Sequence, residues 1–336
     1  MKKTALAFCL STLSLLSFAQ EQTPQETARA FMRSGDFDNA VLVLTRALQT
    51  DKSNLALQKD LALSFYYKRD YVKALDVVNT IMDGDAADVQ SYQIAGNIYK
   101  ALEDVKDAEK SYKKGIKKFP NSGALLSEYG ELLWAKKEVE AIEFWEKGIK
   151  VDPSYAGNYY NAAVFYYYTK DKVWPIIYGE AFINMESLTE RAASMKGLLL
   201  SAYKEKLFAD ADMLKDQEKP SAFEKAFLET MGKQASLLSR GLSPDVLTMI
   251  RTRFLLDWSK TYAAKFPFKL FDYQQQLLRE GMFEAYNQWL FSNSDNLAAY
   301  DNWTKTHPEA YAKFNTFQKS RIFKIPPGQY YSTKIK

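Results

Sequence analysis

The chain has 336 residues, 47% of them hydrophobic and 15% aromatic, with 45 basic against 41 acidic side chains. A chain of this length and apolar content can bury one long core or two compact ones. Its charge is near neutral and its basic residues form no dominant stripe, which argues against general binding of nucleic acid. Glycine and proline are sparse, with 14 and 10 residues, and strand-like alternation is hard to find. An all-α fold is therefore expected.

In chain order, the first nineteen residues read as a secretory signal. Lys2 and Lys3 give a basic start, Ala5 to Leu16 a short apolar run, and Ser17-Phe18-Ala19 a small-x-small cleavage site before Gln20. The run is shorter than the roughly 20 residues that span a bilayer, and no later segment offers such a stretch, so no transmembrane segment is expected. Cleavage would remove Lys2 and Lys3, leaving 43 basic residues against 41 acidic, a net charge of about +2. It would also remove Cys9, the one cysteine of the chain, leaving neither disulfide nor thiolate metal ligand. Export without cysteine points to the periplasm or envelope of a bacterium. A lipid-attachment reading of Cys9 is opposed by bulky Phe8 before it and by the little apolar sequence upstream.

Small residues then recur at Ala28, Ala62, Gly96 and Gly130 at intervals of 34, and continue at Ala163 and Gly197. A second series runs through Ala40, Ala74, Ala108 and Ala141 to Pro175 and Ala209, and a one-residue deletion in the fourth unit accounts for the single short step in each series. The third unit reads Tyr92-x2-Ala95-Gly96-x2-Tyr99, then Ala108-x3-Tyr112, Gly115 and Pro120; the fourth reads Leu126, Tyr129, Gly130, Leu133, then Ala141, Trp145, Gly148 and Pro153. This period and these residue types resemble the tetratricopeptide repeat, in which two antiparallel helices cross closely at small residues. Such hairpins cannot bury their apolar stripes alone and stack into a shared core. About six units are expected over residues 20–217. The fifth departs by carrying Trp174-Pro175, which a first helical turn tolerates. The sixth is expected to have a polar second helix with Asp210, Asp212 and Asp216, suited to capping the array.

Lys219-Pro220 breaks the register, and residues 218–325 read as a separate helical, aromatic-rich region. Ser243-Pro244-Asp245 and Thr306-His307-Pro308-Glu309 look like helix starts, with a turn at Phe266-Pro267-Phe268 between them. Ala285-Tyr286-x2-Trp289 and Ala299-Tyr300-x2-Trp303 place two rings on one helix face, where packing into a core is favoured over a binding platform. From Pro326 onward an irregular, unstructured tail is expected.

Catalytic signals are scarce. His307 is the one histidine, so histidine-pair metal sites are excluded, and any serine triad would have to use it. Neither a phosphate-binding glycine loop nor a dinucleotide fingerprint occurs, and no cofactor is expected. Glu138 with Glu140, and Asp210 with Asp212, could serve as acid and base in an enzyme, but their repeat context reads as surface charge. The lysines at 106, 110, 113, 114, 117 and 118 read as a solvated helix face.

What the resemblance implies is a protein or peptide partner held on the first helices, which line the concave side of the family's superhelix. Counting from the small eighth position, the lining residues are Lys59, Leu63, Tyr66 and Tyr67 in the second unit and Gln93, Asn97 and Lys100 in the third. The fourth contributes Ser127, Glu131 and Trp134, and the fifth Tyr160, Val164, Tyr167 and Tyr168. Rigid amphipathic rings suit extended peptides. The carboxylate clamp of some family members is not repeated, since Lys59 is accompanied by Leu63 and Asn97 by Gln93. Two alternatives stand beside this expectation. Tyr167 and Tyr168 could pack against the C-terminal helices, or the protein could be an envelope enzyme or sugar receptor whose site lies in the C-terminal region or where that region meets the repeats.

Overall fold

The computed structural model describes residues 22–334, so the expected signal and Cys9 lie outside the described residues. Every regular element among the described residues is helical, as expected, and the chain divides into two compact units at Ala87 and Asp88.

The first unit holds two hairpins, α1 (Pro24–Arg33) with α2 (Phe37–Thr50) and α3 (Leu55–Tyr67) with α4 (Tyr71–Asp83). Its core is Ala28, Leu44, Leu57 and Leu61, with Val41, Leu48, Phe65 and Val77 against it. Asp60 is buried at its edge, where Arg29 Nε donates to it at 2.8 Å and Gln25 Nε2 at 2.9 Å.

The second unit opens with three further hairpins: α5 (Val89–Ala101) with α6 (Val105–Lys118), α7 (Gly123–Ala135) with α8 (Ala141–Val151), and α9 (Ala156–Tyr167) with α10 (Trp174–Met185). The loop within each of the first four hairpins is built alike. Gly35, Arg69, Glu103 and Lys137 sit in the left-handed region at φ of 77°, 63°, 59° and 63°, a conformation that costs a residue with a Cβ about 1 kcal/mol. The next residue then caps the second helix: Asp36, Asp70 and Asp104 accept from the backbone N–H groups of Asn39, Lys73 and Asp107. In the fourth hairpin Glu138 replaces the aspartate, and α8 begins at Ala141 without a side-chain cap. The one-residue deletion inferred from the repeat spacing falls in this loop. In the fifth, Asp171 Oδ1 accepts from Val173 N and Trp174 N at 2.9 Å each, and Pro175 lies in the first turn of α10 as expected.

The expected sixth unit is only half present. Its first helix, α11 (Glu190–Ser201), runs on through a π-helical turn (Ala202–Leu207), but residues 208–221 contain no helix, so the expected second helix around Asp210, Asp212 and Asp216 does not form. The aspartates explain why. Asp212 Oδ1 captures Leu214 N at 2.9 Å, so a short polar side chain competes with the helical ladder. Asp216 and Lys219 adopt left-handed backbone at φ of 63° and 48°, and Pro220 supplies no N–H. Gln217 instead bridges back to the loop before α10, donating to Lys170 O at 2.7 Å and accepting from Lys172 N.

Seven more helical segments follow: α12 (Ala222–Gly232), a 3₁₀ turn (Ala235–Arg240), α13 (Pro244–Thr261), α14 (Lys269–Arg279), then α15 (Phe283–Asn287) continuing through a π turn (Gln288–Ser292) into α16 (Asn293–Asp295), and finally α17 (Leu297–Thr306) and α18 (Pro308–Ser320). They belong to the same compact unit as α5–α11, so the boundary expected at 217 and 218 lies inside a single body. The reason is α10, which is buried almost all round, as a helix apolar on every side must be. Trp174 stacks on Phe223 of α12 at 5.7 Å, and Phe223 in turn meets Trp258 and Phe271. Of the expected ring pairs, Tyr286 is a core residue and Trp303 is buried, with its Nε1 donating to Glu284 at 3.1 Å, while Trp289 and Tyr300 are half-buried.

Lys196 of α11 is buried with its ammonium 3.6 Å from the centre of the Trp289 ring. Burial pushes its amine down to about 7. In the unfolded chain it returns to the ordinary lysine range. Between about pH 7 and pH 10 the unfolded state therefore binds more protons, and stability rises with pH. The ring contact offsets part of the penalty, leaving an expected rise on the order of 1–2 kcal/mol. Lys196→Met should remove this rise, measured by urea denaturation at pH 7 and pH 9.5; a parent protein equally stable at both would contradict the assignment.

Candidate protein-binding face

The first helices α5, α7, α9 and α11 lie side by side in the second unit, and their alternation with second helices follows from close crossing at small residues. A Cβ built on Gly96 would sit 2.2 Å from Cζ of Tyr112, and one on Gly130 would sit 2.3 Å from Nε1 of Trp145. Each second helix thus inserts an aromatic ring where the first helix has no side chain. The inserted rings then carry polar groups to the face. Tyr112 OH donates to Glu128 Oε2 at 2.9 Å, and Gln93 Nε2 of the neighbouring helix donates to Glu128 Oε1 at 2.7 Å. Lys100 lies over the Tyr112 ring, and Asn97 Oδ1 is 3.4 Å from its hydroxyl.

One helix further on, Asn161 of α9 donates to Glu131 Oε1 at 2.9 Å and to Ser127 Oγ at 3.3 Å. Burial raises Glu128, opposed by Gln93, Lys100 and Tyr112. Tyr155, at the start of α9, is pushed up to about 12 by burial and then by the charges of Glu128 and Glu131. This side of the unit is therefore a polar ladder of amides and carboxylates crossing from α5 to α9.

The expected binding residues divide three ways. Trp134 (41% exposed) and Tyr168 (73% exposed) stand out from α7 and from the end of α9. Trp134 is braced edge-on by Phe165 at 5.4 Å, and Tyr168 by Tyr167 at 5.4 Å. Gln93, Asn97, Lys100, Tyr160, Val164 and Tyr167 are half-buried, while Glu131 is exposed. Tyr160 packs on Phe182 with the Arg191 guanidinium 5.3 Å above it. Ser127 is only 1% exposed, because its carbonyl receives Trp145 Nε1 at 3.1 Å; it braces the face from below. In the first unit, Tyr67 is 53% exposed and stacks on Phe37 at 5.5 Å, while Lys59, Leu63 and Tyr66 are half-buried.

The suggestion that Tyr167 and Tyr168 pack on the C-terminal helices is not what the structure shows. Tyr167 OH donates to Glu205 Oε2 at 2.7 Å and Lys206 lies over its ring, both from the π turn after α11. These polar and ring contacts of the face in the second unit all lie between residues 93 and 206. Glu128, Asn161, Tyr155 and Arg191 were not singled out by counting repeat positions. Their role depends on which helix stands opposite, and a single-helix register does not contain that information.

Elsewhere, His307 ends α17 with its ring stacked 5.0 Å from Trp303 and Nδ1 placed 3.0 Å from Thr306 Oγ1 and 3.2 Å from Trp303 O. It borders a polar cavity of about 380 Å³ with Asp245, Gln288, Asp295 and Asn302. Glu138 pairs with Lys136 at 2.7 Å, and Asp210 with Lys215 at 2.8 Å. The α6 lysines are exposed, as expected of a solvated face. Among the described residues no group of three or more His, Cys, Asp or Glu side chains is placed to hold a metal ion, and no helix is long and apolar enough to cross a membrane.

Tetratricopeptide-repeat family models match residues 26–88 and 89–121. No curated protein matches the chain. Solved structures similar to it include a tetratricopeptide repeat protein from Parabacteroides merdae, at 16% identity over 70% of this chain and 90% of that one with a TM-score of 0.42. MamA is similar at 17% identity over 53% of this chain and 95% of its own, and YrrB, a protein of the same repeat type, at 19% over 52% and 90%, each with a TM-score of 0.37. Residues 26–121 thus match the tetratricopeptide repeat, and within the second unit the hairpins α7–α8 and α9–α10 stack in turn beyond α5–α6.

Proposed function

We propose that the protein is a non-enzymatic scaffold or adaptor of the bacterial cell envelope that holds an extended segment of a partner protein on the face formed by α5, α7 and α9. The observation that carries this reading is the pair of exposed rings, Trp134 and Tyr168, standing on successive first helices beside the Gln93–Glu128 and Asn161–Glu131 ladder. Exposed aromatics at fixed spacing supply apolar anchors, and the amides and carboxylates between them can pair with a peptide backbone. Near-neutral charge favours a protein partner over nucleic acid. The envelope assignment rests on the signal-like first nineteen residues.

A photo-crosslinking residue at Trp134 or Tyr168, in living cells, should give a discrete adduct that the same residue at Lys147, exposed on second helix α8, does not. Against the adduct obtained from the Tyr168 position, Trp134→Ala should reduce the yield at least about tenfold, the loss expected of a central aromatic anchor. Because the ring is exposed, that substitution should leave the fold intact. Equal adducts from Lys147, or undiminished yield in the folded variant, would sink the reading; fractionation of the same cells tests the location.

A further inference from the structure

Residues 321–334, after α18, form no regular element, but they are not loose. Residues 329–334 run through a slot walled on one side by α8, α9 and α10 and on the other by α12, the turn at Phe266-Pro267-Phe268 and α14. Gln329 Oε1 accepts from Lys269 N at 2.6 Å. The Tyr331 ring lies parallel to Phe223 at 4.9 Å and 9°, with Phe266 and Phe268 edge-on at 5.5 and 6.0 Å, and its hydroxyl donates to Pro267 O at 2.6 Å. The next side chain points to the opposite wall, as in any extended segment. There Ser332 Oγ donates to Glu146 Oε1 at 2.9 Å, beside Tyr166 and Tyr178, whose hydroxyls donate to the same carboxylate at 2.6 and 2.8 Å. Lys334 Nζ lies 3.1 Å from both Asp171 and Glu224.

Glu146, Asp171 and Glu224 are all buried. A buried carboxylate without a counter-charge costs several kcal/mol, so two of them facing one point demand a cation there. The slot therefore asks for a planar ring, then a hydroxyl, then a cation at fixed spacing along an extended backbone. That is how a peptide site reads its ligand, with pockets for alternating side chains. The segment contributes to no helix, and Gly328 turns it into the slot at φ of 87° from an exposed Pro326-Pro327. It can leave without breaking any helical ladder.

We infer that this slot is a peptide-binding site, separate from the first-helix face, which recognises the Tyr331-Ser332-x-Lys334 pattern and is filled in cis by the chain's own tail as an exchangeable ligand. The covalent link is a tether, and the same segment supplied in trans binds in its place.

A protease site inserted into the exposed turn at Pro326–Gly328 of the full chain allows the folded protein to be cut with the tail in place. Circular dichroism should show the helices unchanged after cleavage. A fluorescent peptide with the sequence of residues 329–334 should then bind saturably by anisotropy, releasing the cut tail. Peptides carrying Tyr331→Ala or Lys334→Met should bind at least about tenfold more weakly, as expected for loss of a buried ring or of the partner to a buried charge. Loss of helix on cleavage would make the tail part of the core and overturn the proposal. So would a cut tail that never exchanges, or equal binding of a scrambled peptide.

Discussion

Replacing Arg251 by methionine is expected to destabilise the second unit by about 3–5 kcal/mol, the cost of leaving a buried charge without its partner. Arg251 of α13 is 1% exposed, and its guanidinium donates to Glu180 of α10 and to Asn287 of α15. Burial opposes its charge, yet Glu180, Tyr203 and Tyr286 outweigh burial and hold it above the ordinary arginine range. Glu180 Oε1 also accepts from Gln274 Nε2 and Tyr286 OH at 2.7 Å each. Tyr286 OH in turn receives Asn184 Nδ2, and Asn184 receives Arg321 Nη2, each at 2.7 Å. One carboxylate thus gathers α10, α13, α14 and α15, with the segment after α18 reached through Asn184.

Methionine keeps most of the volume but none of the charge, so Glu180 is left buried with only the neutral donors Gln274 and Tyr286 and no counter-charge. Glu180→Gln should cost a similar amount by stranding the guanidinium. The double variant should recover much of the loss, because a neutral pair needs no compensation. All six tryptophans lie after residue 88, so tryptophan fluorescence during urea denaturation reports this unit alone. A loss below about 1 kcal/mol for Arg251→Met would mean that water already serves Glu180.

How far the sequence reveals the fold follows from where each interaction is encoded. Hairpins α1 to α10 are legible because a spacing of 34 is a local property, repeated in small residues that must meet a ring across the hairpin. The matching run of left-handed residues at 35, 69, 103 and 137, the first three followed by a capping aspartate, carries the same period. The missing second helix of the sixth unit could not be read from spacing, since Ala209 satisfies the pattern while Asp212 and Pro220 defeat the backbone. Nor could the merging of the C-terminal helices with the repeats: it depends on Glu180 finding Arg251, 71 residues on, and Gln274, 94 residues on. At the proposed binding face, the exposure of Trp134 and Tyr168 followed from repeat position alone. Ser127 did not behave as its position implied, because the ring of Trp145 draws its carbonyl inward.

The same contrast between position and environment separates two glycines that the repeat pattern treats alike. Gly130 and Gly197 both occupy the small position of a first helix, and alanine is worth about 1 kcal/mol more than glycine within a helix. At Gly130 that gain should be lost. The added Cβ would fall 2.3 Å from Trp145 Nε1, 2.7 Å from Cδ1 and 2.8 Å from Cε2, and Trp145 is not free to retreat. It is 2% exposed, is bonded to Ser127 O and is bracketed by Trp134 and Phe165 at 6.2 and 6.4 Å. Overpacking at such a site dominates, and Gly130→Ala should lose about 2–3 kcal/mol.

At Gly197 nothing lies within 4 Å of the added Cβ, because the expected second helix of that unit is absent. Gly197→Ala should therefore gain about 0.5–1 kcal/mol. The two substitutions are chemically identical and equivalent in the repeat, yet their effects should have opposite signs in the same fluorescence-monitored denaturation. If Gly197→Ala were instead as damaging as Gly130→Ala, residues 208–221 would have to form the packed second helix that their aspartates and Pro220 argue against.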